Sequence, residues 1–278
     1  MKVHKFGGAS VCDANAVRNM RDIIQSQGKA SILVVISAMG KSTNALEQIP
    51  ALKIADQNYL QVLTEFKEYH TNICEELFDS GEHLIFQKLE QLFQDLHQSL
   101  NKQYHNNDKM YDQVVSYGEL ISTTIVHSFL NQSGTACEHL DARDLVITDS
   151  TFREGKVHWS ATKQAINRRV DINSSSHYLT QGFIGADQDG NTLTLGREGS
   201  DFTAAIFASC LEAESVTIWK DVPGILNADP DLWKQTVKYD SISYGEAAEM
   251  TYYGATVIHP KTIRPLAVKK YHWWSSHL

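Results

Sequence analysis

The chain has 278 residues, 42% hydrophobic and 21% charged, and its 25 Lys and Arg against 33 Asp and Glu leave a formal net charge of −8. Those are globular proportions, and the acidic balance argues against nucleic acid as the main partner, since phosphate binding needs a basic face. At about 150 residues per domain the length fits one large α/β domain or roughly two lobes, and no apolar signal core or run of about 18 apolar residues points to a membrane, so a cytoplasmic protein is expected.

Val3 to Phe6 is a short β-type run closed by Gly7-Gly8, and Val17, Met20, Ile23 and Ile24 follow at helical spacing behind an N-cap candidate, Asp13. Ser31 to Ser37 is a continuous apolar run of strand length, the pattern of a parallel strand buried on both faces. The chain therefore opens β-α-β, which predicts an α/β sheet. From about Asn44 to Gln103 no strand signal occurs. Leu60, Leu63, Phe66, Tyr69, Ile73 and Leu77 form one helical stripe there, and Leu89, Leu92, Phe93, Leu96 and Leu100 form another, so a helical insertion covering one side of the sheet is expected.

After a polar break at Tyr104 to Asp108, one helix is predicted from about Asp112 to Phe129, then short strands near Glu138 to Leu140 and Lys156 to Trp159. Tyr178 to Ile184 and Thr192 to Leu195 flank the turn-rich Asp187 to Asn191 and read as a hairpin. Ser200 to Glu212 reads as helix and Ser215 to Lys220 as strand, and Ser243-x-x-Glu246 is a capping box opening a helix through Tyr253.

Cys12, Cys74, Cys137 and Cys210 are widely spaced and read as reduced structural thiols, and the twelve His show no H-x-x-x-H or H-E-x-x-H spacing. Gly40-Lys41-Ser42-Thr43 follows a buried strand, but a P-loop needs glycine where this chain has Val35. A better phosphate site is Lys5-Phe6-Gly7-Gly8-Ala9-Ser10: glycines at a strand end admit an anion to backbone N–H groups, and the lysine supplies charge. The same residues also fit a plain glycine turn with a surface lysine.

Gly196-Arg197-Glu198-Gly199-Ser200-Asp201, between a strand and a helix, fits an anion-binding turn equally with a tight hairpin exit capped by Ser200 or Asp201. Trp219 to Pro230 is a strand end followed by a Pro-Gly turn and a polar loop. A nucleotide would lie there at the carboxyl end of a parallel strand, and an ordinary strand exit would look the same.

Taken in order, K-F-G-G-A-S at Lys5 to Ser10, S-A-M-G-K-S-T-N at Ser37 to Asn44, S-Y-G-E at Ser116 to Glu119, Q-G-F-I-G from Gln181, T-L-G-R-E-G-S-D from Thr194, W-K-D-V-P-G-I from Trp219, E-A-A-E-M from Glu246 and G-A-T-V-I-H-P from Gly254 resemble the amino-acid kinase superfamily, and within it the catalytic domain of aspartate kinase. The resemblance spans nearly the whole chain. It implies a three-layer α/β/α sandwich with an open, mainly parallel sheet and the helical insertion at about 44–103. An amino-acid-binding lobe is implied at about 1–185 and a nucleotide-binding lobe at about 186–278. The implied activity is transfer of the γ-phosphoryl of ATP, with Mg²⁺, to the β-carboxylate of L-aspartate, the first step toward lysine, threonine and methionine. A homodimer is left open. No ACT regulatory domain follows, so no lysine or threonine feedback is expected.

Carried onto this sequence, the resemblance implies Lys5 and Asp201 as catalytic residues. Ser37, Thr43, Glu119 and Arg197 are the implied substrate ligands, Arg197 for the α-carboxylate and Glu119 for the α-ammonium. Gly7, Gly8, Gly199, Ser200, Lys220, Asp221 and Leu226 are implied at the nucleotide and its phosphates, with Mg²⁺ held largely by phosphate oxygens and water. This chain departs from the family pattern at Ala9, Glu198, Phe202, Asp231 and Thr256. Glu198 adds negative charge where glycine is usual. Asp231 and Thr256 replace positive residues near the expected phosphates, which leaves Lys220 or Lys261 to supply that charge.

Overall fold

The computed structural model describes residues 1–28, 30–79, 84–174, 176–220, 224–228, 232–239, 241–253, 259–267 and 272–277. The chain opens with β1 (Lys2–Phe6), a 3₁₀ turn at Gly8–Val11, α1 (Ala14–Ser26) and β2 (Ile32–Ile36). The helical stretch comprises α2 (Ser42–Ile54), α3 (Leu60–Leu77), α4 (Leu84–Asn101), α5 (Asn107–Val115) and α6 (Tyr117–Gln132). Next come β3 (Cys137–Leu140), the short α7 (Ala142–Leu145), α8 (Trp159–Arg169), β4 (His177–Gln181), β5 (Ile184–Ala186) and β6 (Thr192–Thr194). The last described elements are α9 (Gly199–Leu211), β7 (Ser215–Lys220), α10 (Tyr244–Tyr252), α11 (Pro260–Ala267) and β8 (His272–His277).

The main sheet has six strands in the order β3-β4-β2-β1-β7-β8, every pair parallel. All of β2 is buried, as its unbroken apolar run requires, and its residues alternate between two cores. Ile32, Val34 and Ile36 join the core built with α1, α3, α4 and α6, whereas Leu33 and Val35 join the core built with α8 and α9. The result is the expected three-layer sandwich, with α2 to α4 forming the helical insertion. Asp13 caps α1 by accepting from the Ala16 N–H at 2.8 Å, and Ser243 with Glu246 forms the reciprocal capping box of α10.

Several predicted boundaries are corrected. The helix expected over 112–129 is two helices, α5 and α6, meeting at Ser116, which ends one and opens the other. Apolar periodicity runs through this joint, so only the backbone reveals it. The strand expected at 156–159 is a single bridge from Val157 to Thr148, and Trp159 already begins α8. The run 178–184 is not one hairpin strand: β4 belongs to the main sheet, and the chain leaves it at Gly182-Phe183, where Phe183 adopts φ +67°, before β5 pairs antiparallel with β6. Leu60, assigned to the buried stripe, is 54% exposed at the start of α3.

Candidate active site

A cleft of about 590 Å³ opens at the carboxyl ends of β1, β2 and β4. From β1 the chain moves to β2 on one side, while β7 flanks β1 on the other, so the cleft lies where the winding of the sheet reverses.

Two glycines bring the strand exits together. The Gly40 N–H donates to the Gly8 carbonyl at 3.0 Å. A Cβ on Gly8 would lie 2.8 Å from the Gly40 oxygen and 2.9 Å from the Ala38 oxygen, so side chains are excluded by close backbone approach. Gly8 does not have positive φ, and G8A is therefore a steric test without a torsional penalty. Chemical denaturation of G8A should show a loss of about 1–3 kcal/mol from overpacking. An unchanged midpoint with full activity would mean the two turns can separate at no cost.

Lys5 leaves β1 buried, its Nζ 2.7 Å from Asp201 Oδ1, while Lys220 at the end of β7 places its Nζ 3.0 Å from Asp201 Oδ2. Burial pushes the Asp201 carboxyl up, but Lys5 and Lys220 outweigh it and hold the group below its ordinary range. Burial works against the Lys220 ammonium, and Asp201 and Glu198 outweigh it, raising its pKa. Asp201 therefore serves Lys5 and Lys220 and is not the cap of α9. That correction extends to Ser200, because the N-cap position is Glu198, in the left-handed region at φ 55° with no side-chain cap bond. Glu198 Oε2 lies 3.5 Å from Lys220 Nζ.

Glu119, in the first turn of α6, is 2% exposed. Its Oε1 accepts from the Ala38 N–H at 3.2 Å, and Oε2 has no hydrogen-bond partner among the described residues. Burial raises its pKa to about 8, against the Ala38 and Glu119 N–H groups and the Lys5 charge, which favour ionisation. An unpartnered buried carboxyl oxygen on a residue that lines the cleft is open to a polar group of a ligand.

Ser37, Thr43, Arg197, Gly199 and Ser200 line the same cleft as Lys5, Gly8, Glu119 and Asp201. Gly7 lies beneath it, where a Cβ would come within 3.4 Å of Lys5 Nζ. Arg197 is exposed and forms no ion pair among the described residues. Lys220 reaches the site through Asp201 and Glu198. Leu226 does not line this cleft; it is half-buried in a bridge to Lys238. Asp221, Asp231 and Thr256 lie outside the described residues. Phe202 packs edge-to-face against Trp159 at 6.3 Å. Asn44, Phe183, Thr194 and Gly196, which belong to the quoted motifs, also line the cleft, and so do Glu47, Tyr111, Arg153 and Glu154, which escaped the sequence reading. Lys261 Nζ pairs with Glu154 at 3.1 Å on its rim.

Residues 1–271 match the family model described as Amino acid kinase family. The chain is 33% identical over 270 residues to bifunctional aspartokinase/homoserine dehydrogenase 2, chloroplastic, of Arabidopsis thaliana, covering 95% of this chain and 30% of the relative. It is 34% identical over 266 residues to lysine-sensitive aspartokinase 3 of Escherichia coli K12, covering 95% and 58%. The crystal structure of E. coli aspartokinase III in complex with aspartate and ADP superposes with a TM-score of 0.90 at 30% identity, over 100% of this chain and 62% of that one. The chain thus spans less than two thirds of each of these relatives.

Proposed function

This chain belongs to the amino acid kinase family, and we propose that it phosphorylates the β-carboxylate of L-aspartate with ATP, giving 4-phospho-L-aspartate and ADP. The observation that carries this reading is the juxtaposition, in one cleft, of the Lys5–Asp201 pair with a Glu119 oxygen and the cation Arg197, neither of which has a partner among the described residues. Likeness to the crystal structure of E. coli aspartokinase III in complex with aspartate and ADP supports it.

Glu119 receives the α-ammonium, Arg197 receives the α-carboxylate with bidentate geometry, and Ser37 and Thr43 orient the remainder. The β-carboxylate is then directed at the γ-phosphoryl. An oxygen–phosphorus bond forms as the bond to the ADP oxygen breaks, without a covalent enzyme intermediate. Lys5 neutralises charge spread over the transferred oxygens, and the Gly8 amide faces the same anion, whereas the Gly7 N–H expected beside it is spent on the Trp219 carbonyl at 3.3 Å. Asp201 holds the Lys5 ammonium in place. Lys220 lies on the β7 side, where the nucleotide phosphates enter. Among the described residues no group of His, Cys, Asp or Glu forms a metal cluster, which fits Mg²⁺ carried in on phosphate oxygens and water. The ion would reduce the charge of the phosphates.

The direct test is Mg-ATP-dependent ADP release with L-aspartate, run beside L-glutamate, N-acetylglutamate, carbamate and UMP. Release with aspartate alone is expected; preference for another acceptor, or none with any, would defeat the reading.

Glu198 yields a separate prediction. E198G removes a carboxylate from beside Lys220 and places glycine at a left-handed position. The nucleotide KM should fall about two- to fivefold, as expected for a partly screened charge. Stability should stay within about 1 kcal/mol, because relief of the left-handed backbone is offset by glycine's greater unfolded entropy. An unchanged nucleotide KM would show that Glu198 does not oppose the phosphates.

A further inference from the structure

Arg153, in the loop between α7 and α8, is a non-glycine residue held at φ +67°. The source of the constraint is Asp112, fully buried on α5. Its Oδ2 accepts from the Arg153 N–H at 2.8 Å, and its Oδ1 accepts from Thr194 Oγ1 at 2.7 Å. Thr194 ends β6, and its carbonyl accepts from the Gly155 N–H at 2.9 Å. One buried carboxylate therefore fixes both the Arg153 loop and the strand that runs on to Arg197. Burial raises the Asp112 pKa to about 6, against its hydrogen bonds to Arg153 and Thr194.

The Arg153 guanidinium lies 4.0 Å from the centroid of the Tyr111 ring, and the Tyr111 hydroxyl donates to Glu47. Arg153, Tyr111 and Glu47 all line the cleft. Arg153 also hydrogen-bonds the Tyr111 side chain, which fixes the guanidinium beside the ring, and with the side chain 52% exposed its remaining N–H groups are open to a planar anion. Its ion-pair partner, exposed Asp108, is 3.6 Å away, too far for a hydrogen bond. The nearby lysines are engaged differently: Lys5 and Lys220 face Asp201, and Lys261 faces Glu154. Arg153 and Arg197 are thus the cleft's cations most open to a carboxylate.

We infer that Arg153 is a second carboxylate-binding residue of the acceptor site, sharing with Arg197 the α-carboxylate that does not react and setting selectivity for the free amino acid over its α-amide. This rests on the acceptor reading above. The test uses R153G, since glycine tolerates the left-handed backbone and keeps the N–H that Asp112 holds. Calorimetric titration of the full chain with L-aspartate, with L-aspartic acid α-amide and with ADP separates the possibilities. R153G should weaken aspartate binding about tenfold, the effect of one lost charge-assisted contact, and leave α-amide and ADP binding unchanged. R153K should restore part of the loss.

Equal weakening of aspartate and α-amide, weakening of ADP, or no change would overturn the assignment. Wild-type chain that binds aspartate but does not phosphorylate it would defeat the proposed reaction while leaving the Arg153 comparison intact. Wild-type chain that does not bind aspartate would defeat both.

Discussion

Lys5→Met should lower kcat about 10²–10³-fold or more while changing the aspartate KM little, the size seen when a preorganised donor to a developing anion is removed. The substitution keeps the bulk of the side chain and deletes only the ammonium. Because Asp201 retains Lys220 at 3.0 Å, the buried carboxylate is not stranded, and the fold should survive. Single-turnover rates with a thermal melt on the same sample separate chemistry from folding. A kcat within about threefold of wild type would remove Lys5 from the transition state. Asp201 carries its own pH signature: its folded pKa is depressed, so its contribution to stability is present above the unfolded value near 3.8 and is lost as pH falls through the folded one.

Glu119→Gln should raise the aspartate KM about a hundredfold, since a buried carboxylate bound to an ammonium is replaced by an amide of the same shape. Its pH dependence is more diagnostic than its size. In the free wild-type chain Glu119 releases its proton only near pH 8, so aspartate affinity should rise as pH approaches 8 while the ligand's ammonium stays protonated. The variant should be flat over that interval.

Stability runs the other way. The folded pKa lies above the unfolded value of 4.5, so the contribution from protonated Glu119 is fully present below about pH 4.5 and is lost as pH rises through 8. E119Q should therefore gain on wild type in melts at pH 9 relative to pH 6. Identical slopes for the two proteins, in binding or in melts, would show that Glu119 does not titrate in this range.

Lys5, Glu119, Arg197 and Asp201 could be singled out in sequence because the ordered motifs that carry them resemble the amino-acid kinase superfamily; helical periodicity alone placed Glu119 mid-helix, whereas it lies in the first turn of α6. β2 was legible because burial on both faces leaves an unbroken apolar run. Arg153 was not. Nothing in Thr151-Phe152-Arg153-Glu154 signals a site, and the residue enters the cleft only because Asp112, on a different helix, holds its backbone. The joint at Ser116 and the exit at Phe183 were hidden for a related reason: apolar periodicity reports which face is buried and is indifferent to where the backbone turns.

The position of β1 bears on how the molecule is made. Lys2 to Phe6 pair on one side with β2, nearby in sequence, and on the other with Val216 to Trp219, more than two hundred residues later. During synthesis the first strand must keep one edge open until β7 has left the ribosome, and Asp201, which neutralises Lys5, arrives almost as late. Contacts of such long sequence separation carry a large loop-closure entropy and slow folding. The nascent chain thus presents an unpaired apolar strand edge for most of its elongation, and Lys5 stays solvated until Asp201 arrives, an interval suited to chaperone capture.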